Sequence, residues 1–190
     1  MVEAAGSLPT STASTAPVLL SVVMPMYNAA TTIERCLSPL IRMRDIGEVR
    51  EIIVVDDGST DASAARVAAL PGVRLLRNPV RGGPGAARNL AAAEATGTHL
   101  WFVDSDVVVA ANATRVILRE LRREAVAALF GSYDDAPAAM NFLSQYKNLV
   151  HRYYHQRARR EASTFWTGCG VVNRVVFLRL GGFDAAHYPH

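Results

Sequence analysis

Short, largely apolar runs alternate with stretches of helical spacing through the first half of this chain, and that alternation restricts its fold more than any other feature. Residues 19–24, closed by Pro25, read as a buried parallel strand. A helix follows, capped by Thr31 or Thr32, with Ile33, Cys36, Leu37, Leu40 and Ile41 recurring on one face. Residues 51–55 form a second strand that ends at Asp56-Asp57-Gly58-Ser59-Thr60-Asp61, where Ser59 or Thr60 can cap a helix reaching about Leu70. Residues 73–76 give a short third strand, residues 81–85 a glycine loop, residues 86–95 a helix and residues 98–103 a fourth strand. Such an order implies an α/β fold, with a mostly parallel central sheet covered by helices on both faces.

In sheets of this kind ligands collect beyond the carboxyl ends of the strands. The polar clusters fall there: Tyr27-Asn28, Asp56-Asp57, the segment from Gly82 to Arg88, and Asp104-Ser105-Asp106. If the fourth strand stays extended, Asp104 and Asp106 share one face and form an oxygen-rich site for Mg²⁺ or Mn²⁺. Asp57 can accept hydrogen bonds from a base or a ribose, and Tyr27 can stack on the base. The glycine loop brings free backbone N–H groups and a helix N-terminus that attract phosphate, and Arg88 can grip a diphosphate or hold Asp104.

Rival nucleotide motifs fail on spelling. A dinucleotide fingerprint should follow the first strand and needs glycine or alanine where Arg88 stands. A P-loop needs Gly-Lys-Ser/Thr, and Lys147 is the only lysine, with no glycine beside it. Val107, Val108 and Val109 occupy positions where an EF-hand needs oxygen ligands. His151 and His155 have zinc-ligand spacing but no glutamate between them, so they read as a solvated helix face.

The length of 190 residues suits one domain, residues 18–190, after a tail at residues 1–17 that is expected to be disordered. The formal charge of +3 is too mild to indicate nucleic acid but permits an anionic substrate. Cys36 and Cys169 are the only cysteines, which points to a reducing compartment, and no apolar run spans a membrane or exports the chain. Later in the chain a helix is expected around residues 113–124 and a strand around residues 126–130. A long amphipathic helix follows over residues 138–160, with a basic outer face that reads as a solvated surface, an anionic acceptor or a membrane surface being the alternative partners.

Taken in order, Val23-Met24-Pro25-Met26-Tyr27-Asn28, Ile53-Val54-Val55-Asp56-Asp57-Gly58-Ser59-Thr60-Asp61, Gly85-Ala86-Ala87-Arg88-Asn89 and Phe102-Val103-Asp104-Ser105-Asp106 resemble a family 2 glycosyltransferase of the GT-A fold. The resemblance covers residues 18–184. It implies metal-dependent, inverting transfer of a sugar from a nucleoside-diphosphate sugar to an acceptor hydroxyl. Pro25, Tyr27, Asn28 and Asp57 would hold the nucleotide, Asp104 would meet the ribose or Arg88, and Asp106 would meet the metal. Trp166-Thr167-Gly168, followed by Gly181-Gly182-Phe183-Asp184, resembles the acceptor side. A saccharide or lipid-linked acceptor and a cytoplasmic setting, at the inner face of a membrane, are implied in the same way. The family's catalytic base is expected beyond His190, so the chain reads as a donor-binding portion truncated at its C-terminal end. The alternatives are a nucleotide-sugar-binding module without catalysis and a nucleotidyltransferase, and Tyr27-Asn28-Ala29-Ala30 lacks the glycine-rich basic loop of the latter.

Overall fold

A computed structural model describes residues 17–123, 126–132, 146, 149–150, 153 and 167–188. The elements are β1 (Leu20–Met26), α1 (Ile33–Asp45), β2 (Glu51–Asp56), α2 (Ser63–Ala68), β3 (Val73–Arg77), α3 (Gly83–Glu94), β4 (His99–Val103), α4 (Ala113–Arg123), β5 (Ala128–Phe130), β6 (Cys169–Asn173) and a last short helix, α5 (Arg174–Arg179). The expected tail is outside the described residues up to residue 16. Of the expected helix over residues 138–160, Tyr146, Leu149, Val150 and Tyr153 are helical and the rest is outside the described residues.

The strands make one sheet in the order β3-β2-β1-β4-β6-β5. Strands β1 to β4 pair in parallel, whereas β6 runs antiparallel to both β4 and β5. Alternate residues of the buried strands feed two apolar layers. On one face Val22, Met24 and Trp101 pack with Ile33, Leu37 and Leu40 of α1 and with Ile117 and Leu121 of α4. On the other, Val23, Ile53 and Phe102 pack with Ala87 and Ala91 of α3 and with Phe177 of α5. The small alanines let α3 lie close to the sheet, as their complete burial requires. Among the described residues no helix is long and apolar enough to cross a membrane.

Several boundaries correct the sequence-based expectation. Pro25 does not close β1, which pairs with β2 through Pro25↔Val55 and Met26↔Asp56. The carbonyl of Met26 accepts from the Asp57 N–H on the β2 side, so Pro25 directs its missing N–H toward β4. Pairing with β4 has already ended at Val23↔Phe102, and the proline therefore breaks no ladder bond. Helix α2 starts at Ser63 rather than after Ser59 or Thr60, because Asp61 accepts from the Ser63 N–H at 2.9 Å and takes over the turn. Helix α3 starts at Gly83, inside the expected glycine loop.

At the amino edge of the sheet Glu51 ties β1 and β2 to the start of β4. Its carboxylate accepts from Ser21 Oγ at 2.8 Å and from the N–H and Oγ1 of Thr96 at 2.7 Å each, and it pairs with Arg74 at 3.2 Å. Burial pushes its carboxyl upward, but these donors outweigh burial and hold it below the usual glutamate range.

Candidate functional site

The carboxyl ends of β1, β2 and β4 lie side by side, and the loops leaving them meet in one crest. Residues 28–30 are fastened to the loop after β2. The Asn28 N–H donates to Ser59 Oγ at 3.0 Å, the Ala29 N–H to Ser63 Oγ at 2.7 Å and the Ala30 N–H to Asp61 Oδ2 at 3.0 Å. Asn28 adopts φ 48°, a left-handed conformation that asparagine tolerates, and its Oδ1 accepts from the Thr60 N–H at 2.8 Å. Its side-chain oxygen is thus engaged within the protein. Strand β1 is buried through Met26, and Tyr27 projects beyond it with 41% of its surface exposed.

Asp57 organises the next loop. It is 3% exposed, and its Oδ1 accepts from Asn78 Nδ2 at 2.5 Å and from the Gly82 N–H at 3.0 Å, while Oδ2 accepts from the Gly83 N–H at 2.8 Å. Gly83 reaches this position with φ 79°, which glycine adopts without strain. The carboxylate is therefore the anion at the N-terminus of α3. This corrects the expectation of free N–H groups there: two of them already serve Asp57. The residues between Asn78 and Gly82 are carried over the crest, and the Arg81 guanidinium carbon sits 3.9 Å from the centroid of the Tyr27 ring.

The third cluster lies at the end of β4. Asp104 and Asp106 do not share a face through strand alternation, because β4 ends at Val103 and residues 104–107 form a turn. The Val107 N–H returns to the Asp104 carbonyl at 3.0 Å, and Thr32 Oγ1 donates to the Ser105 carbonyl at 2.8 Å, pinning the turn to the start of α1. Arg88, buried in α3, places Nη2 2.5 Å from Asp104 Oδ1. Burial raises the Asp104 carboxyl above its ordinary value; Arg88 lowers it in part, and the nearby Asp106 charge raises it again. Asp106 is exposed.

Arg88 is itself held from above. Its guanidinium carbon lies 5.7 Å from the Phe183 ring centroid, and Phe183 packs edge-on against Phe102 and Phe177 at 5.4 and 5.2 Å. Asn89 clamps that segment by accepting from the Phe183 N–H and donating to the Phe183 carbonyl, each at 2.8 Å. A Cβ on Gly182, at φ 74°, would strike Asn89 Oδ1. The Gly-Gly-Phe-Asp segment thus packs onto α3 and supports Arg88, while Asp184 pairs with His187 at 2.8 Å.

Of the expected acceptor-side residues, Trp166 is outside the described residues. Thr167 is half-buried, and the Gly168 carbonyl accepts from the Asp104 N–H at 3.0 Å, which joins that segment to the carboxylate turn. Both cysteines are free thiols. Burial pushes Cys36 up to about 11, and burial likewise raises Cys169.

Sequence reasoning brought Tyr27, Asp57, Arg88, Asp104 and Asp106 to one edge, where the structure has them. It missed Asn78, the Arg81–Tyr27 contact and the Asn89–Phe183 clamp, and it read Thr32 as a candidate side-chain cap of α1, whereas the Thr32 hydroxyl donates to the Ser105 carbonyl. Asn78 and Arg81 lie just past β3 at the same edge as the other clusters, and that position was the available signal. The donor set suits a hard divalent cation: Asp106 offers an exposed carboxylate, and Asp104 is held through one oxygen only. Among the described residues no group of three or more His, Cys, Asp or Glu could hold a metal ion, so phosphate and water would have to supply the other ligands.

The profile of glycosyl transferase family 2 matches residues 21–181. An uncharacterized protein of Mycobacterium tuberculosis is 37% identical over 187 residues, covering 90% of this chain and 58% of that protein. WfgD of Escherichia coli, a UDP-Glc:alpha-D-GlcNAc-diphosphoundecaprenol beta-1,3-glucosyltransferase, is 30% identical over 118 residues, 61% of this chain and 46% of its own. Among solved structures, S. aureus TarS 1-349 in complex with UDP has a TM-score of 0.68 at 21% identity, covering 88% of this chain and 51% of that one. The mannosyltransferase PcManGT from Pyrobaculum calidifontis, in complex with GDP-Man and Mn²⁺, has a TM-score of 0.65 at 26% identity, covering 90% and 49%. These likenesses make the architecture a GT-A fold. The chain spans about half the length of the curated relatives it matches.

Proposed function

The chain belongs to glycosyl transferase family 2, and from that premise we propose that it binds a nucleoside-diphosphate sugar at the carboxyl edge of β1, β2 and β4. The sugar then passes to an acceptor hydroxyl with inversion, in a metal-dependent reaction. The observation that carries this reading is the Arg88–Asp104 pair set beside the exposed Asp106. A basic residue, a shielded carboxylate and a free carboxylate at one strand end suit a diphosphate and its counter-ion.

Each residue takes a role its surroundings allow. Tyr27 offers an exposed ring for the base, with Pro25 and Asn28 at its side, and Asp57 shapes the loop that borders the base. Arg88 directs its charge to Asp104, orienting that carboxylate and opposing the rise that burial gives it. Asp106 is the carboxylate available to Mg²⁺ or Mn²⁺. A divalent cation held by Asp106 would supply positive charge to offset that of the departing diphosphate. Thr167 and Gly168, with Trp166, are assigned to the acceptor side. Asp184 is engaged by His187 and is not assigned as the base. The name of WfgD, which specifies a diphosphoundecaprenol acceptor, supports a saccharide or lipid-linked acceptor; a cytoplasmic setting at the inner face of a membrane belongs to the same proposal.

A thermal-unfolding panel of UDP-, GDP- and dTDP-sugars, each with and without Mn²⁺, tests this reading and identifies the base. A donor at a hundred times its dissociation constant adds about 2.7 kcal/mol to stability. Stabilisation by one nucleotide class supports the reading, and no stabilisation of the folded chain by any donor refutes it.

A further inference from the structure

Arg81 is exposed, and among the described residues it forms no salt bridge. Its guanidinium instead lies 3.9 Å over the Tyr27 ring. The loop is anchored on both sides of it by one buried carboxylate, through Asn78 and Gly82 to Asp57, so Arg81 is presented at the crest by design of the loop rather than as a loose surface residue. Arg88 is the opposite case, buried and committed to Asp104.

The spacing sets up a competition. A base stacked between ring and guanidinium would need two contacts of about 3.5 Å each, and the gap is too small for it. A cation–π contact at an exposed ring is weak, whereas a guanidinium facing phosphate makes paired, charge-assisted hydrogen bonds. We infer that Arg81 is a donor-binding residue that gives up the Tyr27 ring to the incoming base and transfers its guanidinium to the diphosphate. This rests on the nucleotide-sugar reading above. Arg81 then opposes the bare nucleoside, which takes its ring and offers nothing in return, and favours the nucleoside diphosphate. Discrimination between the two is the property it confers.

Titration calorimetry of the full chain with UDP, GDP and dTDP, and with uridine, guanosine and thymidine, in the presence of Mn²⁺, tests the exchange. Arg81→Gln should weaken the preferred diphosphate about tenfold, the scale of one charge-assisted hydrogen bond, while its nucleoside binds as well as before or more tightly. Arg81→Lys, which keeps the charge and loses the planar fork, should fall between the two proteins. Equal weakening of diphosphate and nucleoside would overturn the inference, because Arg81 would then be only a wall of the base site. Unchanged binding of both overturns it as well. If the wild-type chain binds none of the six compounds, the donor-site reading itself falls, and the role of Arg81 with it.

Discussion

Nη2 of Arg88 lies 2.5 Å from Oδ1 of Asp104, with the arginine side chain 9% exposed and the aspartate 35% exposed. The pair joins a helix on one face of the sheet to the strand end that carries the acidic turn. Phe183 covers the arginine from outside.

Arg88→Gln should therefore change the pH dependence of donor binding. Burial already raises the Asp104 carboxyl above its ordinary 3.8, and Arg88 is what pulls it back down. A raised value favours the protonated form in the folded protein, so that contribution to stability is present at low pH and is lost as pH rises through the folded value. Without Arg88 the carboxyl titrates at still higher pH. The acid limb of Mn²⁺-dependent nucleotide binding should move upward in pH in the variant, and an unmoved limb would contradict the pairing.

Asp57→Ala should loosen the loop from Asn78 to Gly83, since three donors converge on that carboxylate. Leaving buried N–H groups without an acceptor costs about 1–3 kcal/mol. Chemical denaturation measures the loss, and nucleotide affinity should fall with it. Wild-type stability in this variant would mean that water replaces the carboxylate at the start of α3.

Asn89 makes a reciprocal pair of bonds with the Phe183 backbone, and its replacements should separate the two. Asn89→Ala loses both and should speed amide exchange over residues 181–188. Asn89→Asp keeps the acceptor and loses the donor, so it should give an intermediate rate. Identical exchange in all three proteins would show that the aromatic contacts alone hold the segment.

Glu51→Gln is expected to be less stable than the wild type by about 1–2 kcal/mol at neutral pH, through weaker acceptance from Ser21 and Thr96 and loss of the Arg74 pair. Its carboxyl sits below the ordinary 4.5. A lowered value gives stability that is present above the unfolded value and is lost as pH falls through the folded one. The gap between the two proteins should close in that acid range, and a gap independent of pH would contradict the assignment.

The strands were legible where burial on both faces leaves continuous apolar runs, as in residues 20–26 and 51–56, whereas their order in the sheet came only from the structure. Antiparallel β6 was not legible, because Cys169-Gly170-Val171-Val172 is short and its partners β4 and β5 lie far away in sequence. Local turn chemistry was misread where a distant partner decides it. The Asp104 turn depends on Thr32, and the start of α3 depends on Asp57. Side chains that act through one another, such as Asn89 and Phe183, leave no periodic signal. Arg81 was invisible for a related reason, since its value comes from Tyr27, more than fifty positions earlier.

The most direct test of the account is Mn²⁺ electron paramagnetic resonance, in which the free-ion signal falls as the metal binds. With the nucleoside diphosphate that stabilises the chain present, the wild-type protein should deplete that signal, and Asp106→Asn, at an exposed position that leaves the fold intact, should not. Equal depletion by both proteins, or none by the wild type, would contradict a nucleotide-sugar and metal site at the end of β4.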